Sequence, residues 1–132
     1  MVKVYLDTDC ILALVKDSDW LKRPVERRIK NNRRLCTSVL SVVEARLVLM
    51  REEDIGSVFK IEEKLKAHKI KLLSLDERII SDSDKLMRDF DFLATFDAIH
   101  IATAKYHKEK VLTTDHLFSL IPGLSVEDPR EK

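Results

Sequence analysis

Glycine and cysteine each occur only twice in this 132-residue chain, and each scarcity removes a class of protein. Gly56 and Gly123 stand alone, so there is no Gly-rich phosphate-cradling loop and no nucleotide binding of that kind. Cys10 and Cys36 lie in separate apolar stretches and form no Cys-x-x-Cys pair; they read as reduced core residues, not as a redox or metal motif. Long apolar runs are missing too, and nothing approaches the roughly 20 residues that cross a bilayer. Asp7 and Asp9 interrupt the one early apolar stretch, which predicts no signal peptide and, by default, a cytoplasmic protein without membrane attachment. With no repeat, low-complexity tract or Pro/Gly-rich linker, residues 1–132 are expected to form one domain. Charge of a dominant sign is lacking as well. The 24 basic and 23 acidic side chains leave a formal net charge of +1, so contact with nucleic acid would need a local patch.

What is present is a globular composition, 45% hydrophobic and 36% charged, on a chain long enough to bury a core without staples. Short β-like runs alternate with longer runs of 3.6 periodicity. The pattern predicts strands at 2–6, 35–37, 70–75 and 111–113, with a small edge strand at 124–126. Helices are expected at 9–16, from the Pro24 region to about Lys30, from a Ser38 cap to about Arg51, and over 54–69, 76–92 and 95–107. A turn or short helix follows Asp115. Strands separated by helices of this length imply a parallel sheet covered on both faces. Ligands of such sheets bind beyond the carboxyl ends of the strands.

Four acids do not fit their surroundings. Asp7, in KVYLDTDCILALV, stands where a buried strand hands over to a helix, as an N-cap or as a site residue. Glu44, in TSVLSVVEARLVLM, has Leu40, Val43, Leu47 and Val48 at helical spacing and is expected on an apolar face. An unpaired carboxylate there costs on the order of several kcal/mol, so it needs a basic partner such as Arg46 or Lys3, or a metal. Asp97, in LATFDAIHIATA, is either a first-turn acid behind a Thr95 cap or a site residue. Asp115, in VLTTDHLF, either caps the turn after the fourth strand or joins the others. All four would converge on one edge of the sheet. Clustered carboxylates raise one another's pKa unless a cation neutralises them, and oxygen-only ligands suit Mg²⁺ or Mn²⁺. Such a site supports metal-dependent phosphodiester hydrolysis.

YLDTDCILAL, the lone Glu44, FDAIHIATA and LTTDHLFSLIPGLSV, in that order, resemble the PIN-domain endoribonucleases, especially the short VapC-type toxins of prokaryotic toxin–antitoxin pairs. The resemblance covers nearly the whole chain. It implies a three-layer α/β/α sandwich around a central parallel sheet, an acidic Mg²⁺ or Mn²⁺ site, and cleavage of single-stranded RNA. Carried onto this sequence, the family's metal-binding acids are Asp7, Glu44, Asp97 and Asp115. In that picture Asp7 and Asp97 bind metal directly, Glu44 positions or deprotonates the attacking water, and Asp115 holds a second metal or its water shell. Thr8 and Thr114 match hydroxyl residues beside the first and last acids. The resemblance also implies a homodimer and a cognate antitoxin whose tail lies over the active-site groove. One departure is Asp9, where many relatives have Asn or Ser; it reads as the cap of the first helix rather than a surplus ligand.

Lys22, Arg23, Arg27, Arg28, Lys30, Arg33 and Arg34 make a basic stretch, either a solvated helix face or a phosphate-contacting rim. His68, His100, His107 and His116 lack metal-ligand spacing. His100 reads as a core or interface residue and His116 as a support for Asp115, both outside the catalytic set. A Ser-His-Asp mechanism fails for want of a nucleophile elbow. Two alternatives remain. Asp7 and Asp9 have the Asp-x-Asp spacing of haloacid-dehalogenase-like phosphatases, although Glu44 and Asp97 then go unexplained. The other is a PIN-like module that binds RNA or protein without cutting.

Overall fold

Val4, Tyr5 and Leu6 are completely buried, because β1 (Val2–Leu6) is the middle strand of a five-stranded parallel sheet covered on both faces. The computed structural model describes residues 2–30 and 33–131. The sheet order is β3-β2-β1-β4-β5, with β2 (Arg33–Ser38), β3 (Ile70–Leu73), β4 (Lys110–Leu112) and β5 (Val126–Glu127). Register sets Tyr5 opposite Cys36 on one side and Val111 on the other. The described helices are α1 (Thr8–Val15), α2 (Lys22–Ile29), α3 (Val39–Arg51), α4 (Ile55–Val58), α5 (Ile61–Ala67), α6 (Glu77–Asp89) and α7 (Thr95–Tyr106). A 3₁₀ turn, His116–Leu120, follows β4.

Alternation along the strands sorts the core into two layers. Val4, Leu6, Leu35 and Leu112 pack with Ile11 and Leu14 of α1, Val25 of α2, Leu49 of α3 and Ile61 of α5. Tyr5, Cys36, Leu73 and Val111 pack with Ala98, Ile101 and Ala104 of α7. A third, smaller cluster joins Leu40 of α3 to Ile79 of α6 and to Ile99 and Ala102 of α7. Each fully buried Leu or Ile contributes about 2 kcal/mol. That third cluster matters for the site, because it locks α3 against α7 across the sheet edge. The expected α/β/α sandwich is what forms.

Three details depart from expectation. The helix expected over 54–69 is two, separated at Phe59 and Lys60. Asp54 caps the first through Ser57, and the break turns Ile61 and Leu65 inward while leaving Ile55 and Phe59 exposed. Glu44 does not share a wholly apolar face: Leu40, Ala45 and Leu49 are buried, whereas Val43 and Leu47 face solvent. Thr95 is the first residue of α7, not its cap; Ala94 holds that position without a side-chain bond. Ser38 caps α3 as expected, accepting from the Ser41 amide at 3.3 Å.

Candidate metal centre

Parallel strands deliver their following residues to a single edge. Asp7 comes directly after β1 and caps α1: its Oδ1 accepts from the Thr8 amide at 2.8 Å and its Oδ2 from the Thr113 hydroxyl at 2.7 Å. Thr113 itself directly follows β4. Glu44 projects from α3 toward α7, where His100 Nε2 lies 2.8 Å from Glu44 Oε1 and 3.7 Å from Asp7 Oδ1. The Thr8 hydroxyl donates to the same Glu44 oxygen. Ligand-type atoms of Asp7, Glu44 and His100 all lie within 4.8 Å of one another.

Asp97 is three residues before His100, on the same face of α7. It feels Asp115, His100 and Glu44 electrostatically. Asp115 caps the 3₁₀ turn, accepting from the Leu117 amide at 2.9 Å, and its own amide donates to Thr113 Oγ1 at 3.0 Å. All four expected acids therefore stand on one edge, but only Asp7 and Glu44 enter the tight cluster. Asp97 and Asp115 flank it.

Charge leaves a clear mark. Burial, above all, lifts the Asp7 carboxyl from 3.8 to about 6; His100 pulls it down and Asp9 pushes it further up. Asp97 is also raised, first by burial and then by Asp115. For Glu44, burial is outweighed by hydrogen bonds from His100 and Thr8, and its pKa falls below the ordinary value. His100 is buried yet its pKa is raised, because Glu44, Asp7 and Asp97 surround it with negative charge.

A buried network holds this histidine in place. His100 Nδ1 lies 2.6 Å from the Tyr5 hydroxyl, which donates to Ser38 Oγ at 2.8 Å. Thr37 Oγ1 donates to Ser41 Oγ, 2.7 Å away. The short contact between Nε2 and a carboxylate oxygen holds a proton, so His100 donates to Glu44 and is not poised as a metal ligand.

The donor set fits a hard divalent cation. Two raised carboxyls and a buried Asp9 Oδ1 with no hydrogen-bond partner among the described residues mark a place short of positive charge. A model of the PIN domain matches residues 4–124. The chain belongs to the PIN-domain family.

Solved structures with this fold include VapBC2 of Rickettsia felis bound to a promoter DNA fragment, at 14% identity and TM-score 0.77, covering 96% of this chain and 98% of that one. VapC20 of Mycobacterium tuberculosis, a Sarcin-Ricin loop cleaving toxin, has 14% identity and TM-score 0.77 over 89% of this chain and 93% of its own. VapBC-1 of nontypeable Haemophilus influenzae has 20% identity and TM-score 0.73 over 98% and 100%. At these identities the likeness is one of fold. No curated protein sequence matches the chain.

Several side chains of this PIN domain take roles the sequence did not assign. Asp9 is not the cap of α1, which is Asp7; it sits in the first turn. Its Oδ2 accepts from the Thr114 amide at 2.9 Å and also from the Thr114 hydroxyl. Glu44 is paired with His100 and Thr8, not with Arg46 or Lys3. His100 belongs to the site, and its signal was the spacing of three from Asp97 on a buried helix. Thr113 holds Asp7, whereas Thr114, the expected hydroxyl, holds Asp9. His116 is exposed and lies 3.4 Å from Arg130. The basic stretch divides: Arg28 and Arg33 are spent on Glu127, and Arg34 turns to the other face of the sheet, in line with Cys36.

Proposed function

We propose that this PIN domain, residues 1–132 as one unit, is a metal-dependent endoribonuclease that cleaves single-stranded RNA, acting in the cytoplasm as the toxin of a toxin–antitoxin pair. The observation that carries this reading is the Asp7–Glu44–His100 cluster at the strand ends, flanked by Asp97 and Asp115, within a PIN fold. Asp7, Glu44, Asp97 and Asp115 would hold Mg²⁺ or Mn²⁺, which supplies charge neutralisation at phosphate and a more acidic water. Thr113 and the Thr8 amide fix both oxygens of Asp7. Thr8 and His100 fix one oxygen of Glu44, and the other would be left to orient the attacking water. Asp97 and Asp115 extend the negative surface along which a scissile phosphate would be placed.

An exposed apolar stripe supports a protein partner. Val39, Val43, Leu47 and Met50 of α3 face solvent, and Ile55 and Phe59 continue the stripe. A second copy of the chain and an antitoxin segment both suit it, and several neighbours in fold are VapBC complexes. The phosphatase alternative loses ground, since Asp9 is tied to Thr114 and is not aimed as an acid.

The test is cleavage of a mixed-sequence single-stranded RNA with Mn²⁺ or Mg²⁺, beside EDTA and folded Asp7→Asn and Asp97→Asn variants. Metal-dependent cuts lost in both variants are expected. No cleavage by partner-free protein that binds metal would leave a binding module, and phosphate release from a phosphomonoester would restore the phosphatase.

A further inference from the structure

The opposite edge of the sheet carries the reverse charge. Lys3, Arg34 and Lys71 lie two residues before Tyr5, Cys36 and Leu73, so they share the α7-side face of three adjacent strands. Register places Lys3 beside Arg34 and Lys71 beside Cys36, with neighbouring strands about 4.8 Å apart. Because α7 ends at Tyr106, this part of the face stays open as a cleft of about 410 Å³, which Lys69 also lines. A second cleft of about 440 Å³ adjoins it, lined by Lys105 and Lys108 and sharing Lys3 and Glu109 with the first.

One carboxylate, Glu109, feels Lys3, Arg34 and Lys71 electrostatically, which leaves the six cations in clear excess. Among the described residues, none lies within 4.0 Å of a carboxylate oxygen or donates a side-chain hydrogen bond, whereas Arg28, Arg33 and Lys60 all have acidic partners. Glu109, the one carboxylate shared by the clefts, forms no ion pair with them, and its Oε2 accepts no hydrogen bond. Helix C-termini attract cations and account for lysines beside α5 and α7. They do not account for the strand-borne Lys3, Arg34 and Lys71. In a chain of formal net charge +1, this concentration sets a positive pole against an acidic one.

We propose that this pole is a second RNA site, where Lys3, Arg34, Lys69, Lys71, Lys105 and Lys108 hold phosphates of the strand flanking the cleaved segment. Six charges spread over two adjoining clefts exceed what one phosphate engages and suit a run of phosphodiesters. No Phe, Tyr or Trp lines either cleft, so the site reads backbone and not bases. Lys3 and Asp7 are separated by about 13 Å along β1. A di- or trinucleotide lying on the acids falls short of the pole, which defines the short oligonucleotide of the test, while a longer RNA reaches it. This inference rests on the nuclease reading for its choice of ligand.

The test is fluorescence anisotropy of the full chain with a long mixed-sequence RNA in EDTA, across a salt series. The triple variant Lys3→Ala/Arg34→Ala/Lys71→Ala is compared with Arg23→Ala/Arg27→Ala/Lys30→Ala on and beside α2. The first triple should weaken long-RNA binding about tenfold at low salt and reduce the slope of log K against log salt by about 2, as loss of three phosphate contacts requires. Cleavage of a short oligonucleotide should be unchanged. An unchanged slope, or a loss confined to the α2 triple, overturns the proposal. So does competition by inorganic phosphate in the wild type with no RNA effect in the variant, which would mark a small-anion site. Binding is read without metal, so an inactive protein that still shows the slope change would refute the nuclease reading and leave this one standing.

Discussion

Replacing Asp7 with Asn should make the metal-free protein more stable, although it removes a ligand of the proposed metal site. Asp7 sits buried beside Asp9 at the end of β1, and its pKa rises from 3.8 to about 6. A carboxyl that binds its proton more tightly when folded loses stability as pH rises, here between about 4 and 6. The full shift corresponds to about 3 kcal/mol above that window. Part is returned, because the Asp7 charge favours the His100 cation and Asn keeps the cap to Thr8 less strongly. The net gain at pH 8 is expected to be about 1–2 kcal/mol, or about 4–8 °C in Tm for a chain of this length. Thermal melts of wild type and Asp7→Asn in EDTA from pH 4 to 8 measure it. The variant's advantage should be absent near pH 4, grow between pH 4 and 6, and be complete above about pH 6. Added Mn²⁺ should then raise the Tm of the wild type and leave the variant where it was. A variant less stable than wild type at pH 8 in EDTA would refute the reasoning, showing that the cap outweighs the buried charge.

His100→Ala removes the donor to Glu44 and should cost about 2–3 kcal/mol and most of the cleavage activity; His100→Gln, which keeps a donor, should recover part of both, and equal losses would show that the hydrogen bond is not what matters. The Glu44–His100 pair should stabilise most between the two groups' ordinary pKa values: the lowered Glu44 loses its contribution as pH falls, and the raised His100 loses its own as pH rises. A double-mutant cycle of Glu44→Gln and His100→Gln across pH reads that coupling directly. Asp9→Asn should keep the bond to Thr114 but weaken Mn²⁺ binding, because the unpartnered Oδ1 belongs to the negative charge a cation would meet, while Asp9→Ala should also lower stability by about 1–2 kcal/mol; unchanged Mn²⁺ affinity in Asp9→Asn, measured by calorimetry, would place Asp9 outside the metal's surroundings. If the α3 stripe joins two copies, as proposed above, Val43→Glu with Leu47→Glu should give a monomer by light scattering with no loss of helicity, and an unchanged mass would assign the stripe to another partner.

The fold was legible because its signals are local and repeated. Val2–Leu6 reads as a buried strand, Ser38 caps the helix after β2, and the remaining strands alternate with helices, which leaves a parallel sheet as the outcome. The four acids could be picked out as candidates because each reads as out of place among its sequence neighbours. Their grouping was only half visible. That Thr113 holds Asp7 and Thr114 holds Asp9 could not be read, because the two threonines stand more than a hundred residues away. Likewise His100 reads as a core residue until Tyr5 and Glu44 are placed on either side of it. The split between α4 and α5 was hidden because Val58, Ile61 and Leu65 keep helical spacings of three and four straight across the break.

The position of β1 has a consequence for synthesis. Its residues Val4–Leu6 pair on one side with β4 at Lys110–Leu112, and Thr113 follows only then. A growing chain on the ribosome can dock β2 and β3 early, but it holds Asp7 unclamped and lacks Asp115 until β4 and the turn after it have emerged. Chains that stop short of Thr113 and Asp115 are thus expected to lack the proposed metal-dependent activity, however well β1, β2 and β3 have paired.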